Sequence, residues 1–498
     1  MIPLTLAEVA GATDGRLGGG ADPAALVTSV VVDSRLVRPG SLFVALPGAR
    51  ADGHDFAASA VAAGAVAVLA ARPVDVPAVL VADPALGLVR LAGHARTLAK
   101  ATVLAVTGSS GKTTTKDLLA DLLGTLGPTI APPGSFNNEI GLPLTLLRLE
   151  ADTEYAALEM GARGLGHIAT LCAIARPHVG LVLNVGSAHV GEYADGRAGI
   201  AAAKGELAEA ASDVAVLNAD DELVAGMRPR AAGRVVTFGT APGADVRAER
   251  VEIDHAGRAS FDLVAGGERH RVALALVGAH QVSNALAAAA AAWAVGMAPA
   301  AAATALAAAR PRSRWRMEVT TTAGGLVVVN DAYNANPESM RAALRALADL
   351  GRAPAEPALG RADGPVTGAG RRRTWAVLGP MAELGAAADG EHAELGAFAA
   401  GLGIDRVVVV AEAARPLAAA AEAAGTRVDW VADVDAAVAL LADATPGAGD
   451  VVLVKASRSY GLERVARALT EAAGSGGPGA GEAGAGAGRN AQTAEPTP

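Results

Sequence analysis

Residues Thr107–Leu119 read TGSSGKTTTKDLL. They follow TVLAV (102–106), a β-branched run that reads as a strand, and they lead into TTTKDLLADLLGTL, which reads as a helix. Leu118, Leu119, Leu122, Leu123 and Leu126 are expected to share one face of that helix. A loop between a strand end and a helix start directs free backbone N–H groups and the helix dipole onto an anion. The widespread phosphate loop is G-x-x-x-x-G-K-[ST], but here Val106 stands where the first Gly would fall and Gly108 follows two positions later. Gly108 and Gly111 still allow close backbone approach. Lys112 offers a point charge to terminal phosphates, and the Thr113 hydroxyl suits Mg2+. The reading is a shortened but chemically complete nucleotide loop made of Gly108, Ser109, Ser110, Gly111, Lys112, Thr113 and Thr114.

The rest of the chain narrows the class. At 498 residues it exceeds one core, and about three domains are expected. It holds 42 Lys+Arg against 51 Asp+Glu, a net charge of -9, so it lacks the electrostatic footprint of a nucleic-acid or anionic-membrane binder. A single cysteine, Cys172, permits no intrachain disulfide and reads as a small buried apolar residue; a reducing, cytoplasmic setting fits. The start, MIPLTLAEVAGATDG, has no basic n-region and carries Glu8, so a secretory leader is not expected. The longest uncharged run, Gln281–Ala309, is mostly Ala and is broken by Gly296 and Pro299. Two packed helices, rather than a membrane span, are the expectation.

Strand-like runs alternate with helical patterns. YAALEM (155–160), VGLVLN (179–184) and VAVLN (214–218) join TVLAV in the middle third; LVVVND (326–331), TWAVLG (374–379), RVVVV (406–410) and VVLVK (451–455) occupy the last third. This spacing predicts two successive α/β units with largely parallel sheets. A smaller α/β unit precedes them, with VTSVVVDSR (27–35) and SLFVAL (41–46) as strands. The expected divisions are 1–98, 99–312 and 313–472. Residues 352–373, rich in Gly, Pro and Arg, read as a flexible surface insertion, and 473–498 as a disordered tail.

Several polar residues sit where open parallel sheets bind ligands, at the carboxyl ends of strands. Glu159 ends YAALE, and His189 follows the next strand in NVGSAH. Lys204 lies in GIAAAKGELAEA, which reads as a helix, where a lysine ordinarily faces solvent. Asn137 and Asn138 occupy the loop PPGSFNNEIG, where Asn ordinarily serves turns. His280 and Asn284 stand at i and i+4, on one helical face. Arg316 lies in SRWRMEV, while Asp331, Asn334 and Pro337 lie in NDAYNANPESM, whose proline suits a helix first turn. His392 follows LGPMAELG, and Lys455, Ser457 and Arg458 follow VVLVK. Near the start, Ser34 and Arg35 follow VTSVVVD.

Taken together, over residues 25–465, these motifs resemble the Mur ligases, ATP-dependent amide-forming enzymes of peptidoglycan synthesis. The string D-x-Y-N-A-N-P points to the branch that adds D-alanyl-D-alanine to a UDP-muramoyl-tripeptide. The resemblance implies three domains: a small α/β UDP-binding domain, a central P-loop ATPase-like domain with a parallel sheet, and a C-terminal Rossmann-like α/β domain. It implies Mg2+ at Thr113, Glu159, His189 and a Lys204 carbamoylated by CO2, with two ions expected. It implies nucleotide contacts from His280, Asn284, Arg316 and Asp331, and substrate contacts from Ser34, Arg35, Asn137, Asn138, Asn334, Ser457 and Arg458. The partners implied are small molecules (ATP, the UDP-muramoyl-tripeptide and the dipeptide), with no nucleic acid and no membrane insertion, and a monomer is expected. Since ATP would be held from the middle and last domains together, closure between them is expected on binding.

Overall fold

The computed structural model describes residues 1–48, 51–187, 190–193, 195–352 and 371–472. Most of the 352–373 insertion and the whole 473–498 tail lie outside the described residues, as does His189. Among the described residues the strands form three large sheets and one two-stranded ribbon. The first large sheet lies within residues 16–80, the second within 102–277 and the third within 318–455.

The middle sheet carries the site. Strand Thr102–Thr107 lies between Val179–Val182 and Tyr155–Glu159, parallel to both. The registers pair Glu159 with Val106 and Val182 with Thr107, so three strand ends open together at one edge. These strands are buried on both faces, which is why they read as continuous apolar runs rather than alternating ones. On one face the helix Lys112–Gly124 buries Leu118, Leu119, Leu122 and Leu123. Leu126 does not share that face: the helix ends before it, and it is 39% exposed. Against this helix packs Gln281–Ala294, where Ala285 and Ala287–Ala292 are buried; side chains this small let the two backbones approach closely. The Ala-rich run is thus two helices, Gln281–Ala294 and Pro299–Ala308, as expected.

Two strand expectations need correction. Residues 27–35 are not one strand: Leu26–Val27 and Ser29–Val31 pair into different sheets, and Asp33 turns the chain by accepting from the Arg35 amide, starting the short helix Ser34–Leu36. The middle sheet is also not purely parallel. Beyond its parallel strands it continues through Val246–Ile253, Arg258–Ala265 and Glu268–Val277, joined by antiparallel pairing. Gly266 and Gly267, both with positive φ (57° and 84°), make the tight turn between the last two. A Gly-Gly pair between alternating runs is a hairpin signal.

The third sheet runs in the order Glu318–Thr321, Val327–Asn330, Asp450–Lys455, Arg373–Leu378, Arg406–Val410, Arg427–Val431. All its pairings are parallel except the first. The carboxyl ends of Val327–Asn330 and Asp450–Lys455 face the nucleotide loop of the middle sheet. Between the first and middle domains lies a cavity of about 1100 Å³, lined in part by Val31, Asp33, Phe136, Arg148, Arg312 and Arg314.

Candidate active site

The loop after Thr107 is held in shape before any ligand is considered. Gly111 caps the helix Lys112–Gly124 at φ 81°, where a side chain would be strained, and a Cβ there would also collide with the Asn284 amide oxygen. A Cβ on Gly108 would lie 2.9 Å from the Leu183 Cβ. Asn184 binds the loop from the next strand end: its side-chain oxygen accepts from the Ser110 amide at 3.0 Å, and its carbonyl accepts from the Ser109 amide at 3.1 Å. Ser109 in turn accepts from the Gly186 amide through its hydroxyl at 2.9 Å. Thr114 is half-buried on the helix's first turn.

Lys112 donates to the Gly108 carbonyl at 2.8 Å. Burial lowers its pKa first, and Arg316 adds to that, while Glu159 opposes it. Glu159 is 1% exposed and has both oxygens engaged: Thr113 donates to one at 2.9 Å, while Ser135 and Asn137 donate to the other at 2.9 and 2.7 Å. Asn137 therefore belongs to the site through Glu159. Asn138 instead caps the turn that follows, accepting from the amides of Ile140 and Gly141. Lys116, buried in the loop's helix, donates to the carbonyls of Pro132 and Gly134 and so fixes the Ser135 loop to that helix. The sequence reading passed over Lys116, Ser135 and Asn184. Asn184 begins NVGSAH at a strand end and had a usable signal; a lysine buried to satisfy carbonyls had none.

Lys204 is not solvent-facing. It is 5% exposed, and burial, with the Lys112 ammonium adding, pushes its pKa down to about 7 against an opposing pull from Glu338. A lysine that is substantially neutral at physiological pH is what addition of CO2 to an amine requires.

From the last domain, Arg316 reaches the middle one: its guanidinium donates to the Thr113 hydroxyl at 3.1 Å while lying 4.2 Å over the Tyr333 ring. Its neighbours Trp315 and Met317 both have positive φ, 57° and 50°. Such backbone is costly for a non-glycine residue and is held by its surroundings. Here Asp331 accepts from the Met317 amide at 3.0 Å and pairs with Lys455 at 2.6 Å. One Asp331 oxygen thus holds the Met317 amide beside Arg316, and the other meets the Lys455 ammonium. Lys455 also donates to the Asn334 carbonyl, and the Asn334 side chain accepts from the Ala335 amide. Ser457 is buried, accepting from the Ala382 amide and donating to the Ala335 carbonyl. Arg458, stacked 4.1 Å over Trp315 and paired with Glu463 at 3.0 Å, is the member of this group that reaches solvent.

The remaining histidines divide. His280 packs against Gly278 and beside Gln281, and its pKa falls to about 4, mainly through burial, with Lys455 adding and Asp331 opposing. Asn284, one turn on, accepts from Thr115 and donates to Gln281; it supports the loop from behind. His392 is a structural group: its Nε2 accepts from the Met381 amide at 2.9 Å and its Nδ1 meets the Ala388 carbonyl at 2.7 Å, which fixes the neutral tautomer with the proton on Nδ1. At the first domain, Arg35 is exposed and forks onto Asp33, and Ser34 is partly buried beside it. Asp33, but neither Ser34 nor Arg35, lines the interdomain cavity. Cys172 is buried against Met160, and burial raises its thiol to about 12.

The site fits a triphosphate and a hard cation. Gly108 and Gly111 let the loop lie close against Leu183 and Asn284, where a Cβ would collide. The Arg316 Nε is buried with no partner among the described residues, beside Lys112 and Thr113, where a phosphate oxygen would complete it. The Thr113 and Glu159 oxygens are donors of the type Mg2+ selects. Among the described residues no cluster of three or more His, Cys, Asp or Glu could hold a metal unaided. Nucleotide oxygens and water would supply the other ligands.

The class that fold and site define is a phosphate-loop enzyme whose nucleotide crevice is shared by two α/β domains. Three family models match the chain: the Mur ligase family catalytic domain at 26–92, the Mur ligase middle domain at 106–292 and the Mur ligase glutamate ligase domain at 364–458. The chain belongs to the Mur ligase family. It is 45% identical to the UDP-N-acetylmuramoyl-tripeptide–D-alanyl-D-alanine ligase of Mycobacterium tuberculosis, over 94% of this chain and 98% of that one. It is 36% identical to the ligase of the same name from Escherichia coli, over 95% and 99%. Among solved structures it resembles MurF from Acinetobacter baumannii, with a TM-score of 0.80 and 32% identity over 94% and 99% of the two chains. It also resembles the MurF ligase of Thermotoga maritima in complex with ADP, with a TM-score of 0.73 and 31% identity over 90% and 98%.

Proposed function

We propose that this chain joins D-alanyl-D-alanine to the peptide carboxylate of UDP-N-acetylmuramoyl-tripeptide, with ATP cleaved to ADP and phosphate. The observation that carries the reading is the convergence of Lys112, Thr113, Glu159, Lys204 and Arg316 on one interdomain crevice, in a chain whose relatives bear that name over nearly their whole length.

A carboxylate does not form an amide at neutral pH without activation. The tripeptide carboxylate oxygen attacks the ATP γ-phosphorus, ADP leaves, and an acyl phosphate results. The dipeptide amine then attacks the acyl carbon; phosphate departs and the amine loses a proton. Both steps develop negative charge, so catalysis is chiefly positioning and electrostatics. Lys112 and Arg316 face that charge from opposite domains. Thr113 and Glu159 would hold one Mg2+, and His189 with a carbamoylated Lys204 a second; when bound, the metal would supply Lewis-acid charge neutralisation. Arg458 is the proposed anchor of the dipeptide carboxylate. The cavity lined by Asp33, Phe136, Arg148 and Arg314 is the proposed seat of the UDP-linked substrate, with Ser34 and Arg35 at its margin. The domain divisions near residues 98 and 312 belong to the same proposal, as do a monomeric state and a cytoplasmic location, where ATP is available. No helix among the described residues is long and apolar enough to cross a membrane.

The test is ADP release with UDP-muramoyl-tripeptide and a panel of single amino acids and dipeptides. Release that depends on D-alanyl-D-alanine is expected. Release driven by a single amino acid would move the chain to another branch of the family, and release indifferent to any acceptor would reject ligation.

A further inference from the structure

The helix Pro337–Gly351 of the last domain begins with a carboxylate pressed against the middle domain. Glu338 accepts from the Ser187 amide at 2.6 Å and from the Ser187 hydroxyl at 2.9 Å, both on the same oxygen. Its other oxygen is buried with no partner among the described residues. The carboxylate lies so flat on Gly186 that a Cβ there would fall on its carbon. The adjacent Asn336, which caps this helix through the Ser339 amide, reaches across as well and donates to the Ser109 carbonyl of the nucleotide loop at 3.1 Å. The two domains meet again where Gly191 approaches Gly385, with a Cβ on Gly191 only 3.1 Å from the Gly385 Cα.

Gly186 and Ser187 are not a remote surface. The Gly186 amide donates to the Ser109 hydroxyl, and Ser187 stands two residues before His189. One carboxylate from the last domain therefore grips the segment that connects the nucleotide loop to the proposed second metal site. A carboxylate buried at this contact would be costly to keep there without its Ser187 donors, so the two hydrogen bonds and the docking of the domains support each other.

We infer that Glu338 is a positioning residue for the ligation reaction: by docking on Gly186–Ser187 it latches the last domain onto the middle one and fixes that segment against Ser109 of the nucleotide loop. The inference rests on the proposed ATP-dependent ligation. Glu338 touches neither reacting atom; its effect passes through the loop and through the closure that brings Arg316 to Thr113. Its two accepted hydrogen bonds need an oxygen acceptor, which the amide of glutamine also supplies.

The experiment uses the full chain with Glu338→Ala and Glu338→Gln, read by X-ray scattering without ligands and by kcat and KM for ATP. Loss of two hydrogen bonds to a charged acceptor corresponds to roughly a tenfold or greater fall in kcat/KM. Glu338→Ala is expected to give that fall together with a larger radius of gyration and an unchanged melting temperature. Glu338→Gln is expected to restore both readouts to within about threefold of the parent in rate and to the parent radius, since its amide oxygen accepts from Ser187 as the carboxylate does. Ser187→Ala, from the opposite domain, removes only the hydroxyl bond; it should show the same trend more weakly, and it keeps the test open if Glu338→Ala does not fold. An alanine variant with the parent's scattering profile, or a glutamine variant as impaired as the alanine one, would overturn the latch. If the unaltered chain shows no dipeptide-dependent ADP release, the proposed function has failed instead, and the two failures are separable.

Discussion

The two ends of the middle sheet handle charge in opposite ways. At the antiparallel end, Asp262 is 1% exposed and takes hydrogen bonds from Arg250, Arg269 and Arg271, while Glu249 and Glu252 balance the arginines outside it. The three arginines hold the Asp262 carboxyl below the usual carboxylate range. Each of these six charges has a partner. At the parallel end the charges are buried but, among the described residues, left short of partners: the Lys112 ammonium donates to a carbonyl, the Lys204 amine is half-neutral near pH 7, and Arg316 keeps an unsatisfied Nε. A closed network stabilises a sheet. An open one holds its capacity for a ligand, at a cost in stability. The first end is closed on itself, and the second is the candidate site.

That contrast can be broken most severely at Lys112. Lys112→Ala removes the charge facing the terminal phosphates, and turnover should fall by ~10²-fold or more, the scale of losing one preorganised donor. A fall under threefold in steady-state kcat would show that the open charge there is incidental. Lys204→Ala should be nearly as damaging. Added short-chain carboxylic acids should recover part of its activity by supplying the oxygen ligand that the carbamate would provide, and absence of rescue with activity retained would count against the carbamate.

A stability measurement sharpens the same contrast. With its folded pKa near 7 against an ordinary 10.5, Lys204 must shed a proton that the unfolded chain keeps throughout that interval. The unfolded state binds more protons there, so the penalty is full below pH 7 and is relieved as pH rises towards 10.5. In CO2-free buffer, Lys204→Met should therefore raise the melting temperature more at pH 6 than at pH 10; an equal rise at both would mean that the amine carries its ordinary pKa. The smallest effect on activity is expected at the closed end. Asp262→Asn should lower the melting temperature by a few degrees and leave kcat within about twofold of the parent. A large loss of activity would make that end part of the site.

Most of the fold could be read from the chain because parallel strands covered on both faces appear as unbroken β-branched runs, and each such run named in the last two-thirds is a strand. What escaped reading was the part with another logic. The antiparallel end alternates charged and apolar residues, as in ERHRVALALV, and its signal was the Gly266–Gly267 pair rather than any run. Chemistry fixes residue type next to a strand end, so the sequence marks candidates there, and the structure brings Gly108, Gly111, Lys112, Thr113 and Glu159 together. Residues that act through shape were not legible. Asn334, Ser457 and His392 spend their hydrogen bonds on backbone, and Asp331 divides its own between the Met317 amide and Lys455; nothing in a one-dimensional pattern announces those partners. Contacts between domains, such as those of Glu338 and Asn336, have no local sequence signature at all.

The central claim is that the crevice between Lys112 and Arg316 spends ATP on making one amide. It is tested most directly by counting ADP against product in a single reaction mixture of ATP, Mg2+, UDP-muramoyl-tripeptide and D-alanyl-D-alanine, with the joined product measured by mass spectrometry. One ADP per joined product, and almost no ADP when the dipeptide is left out, is the predicted result. ADP that accumulates at the same rate without the dipeptide, with no joined product, would contradict the account.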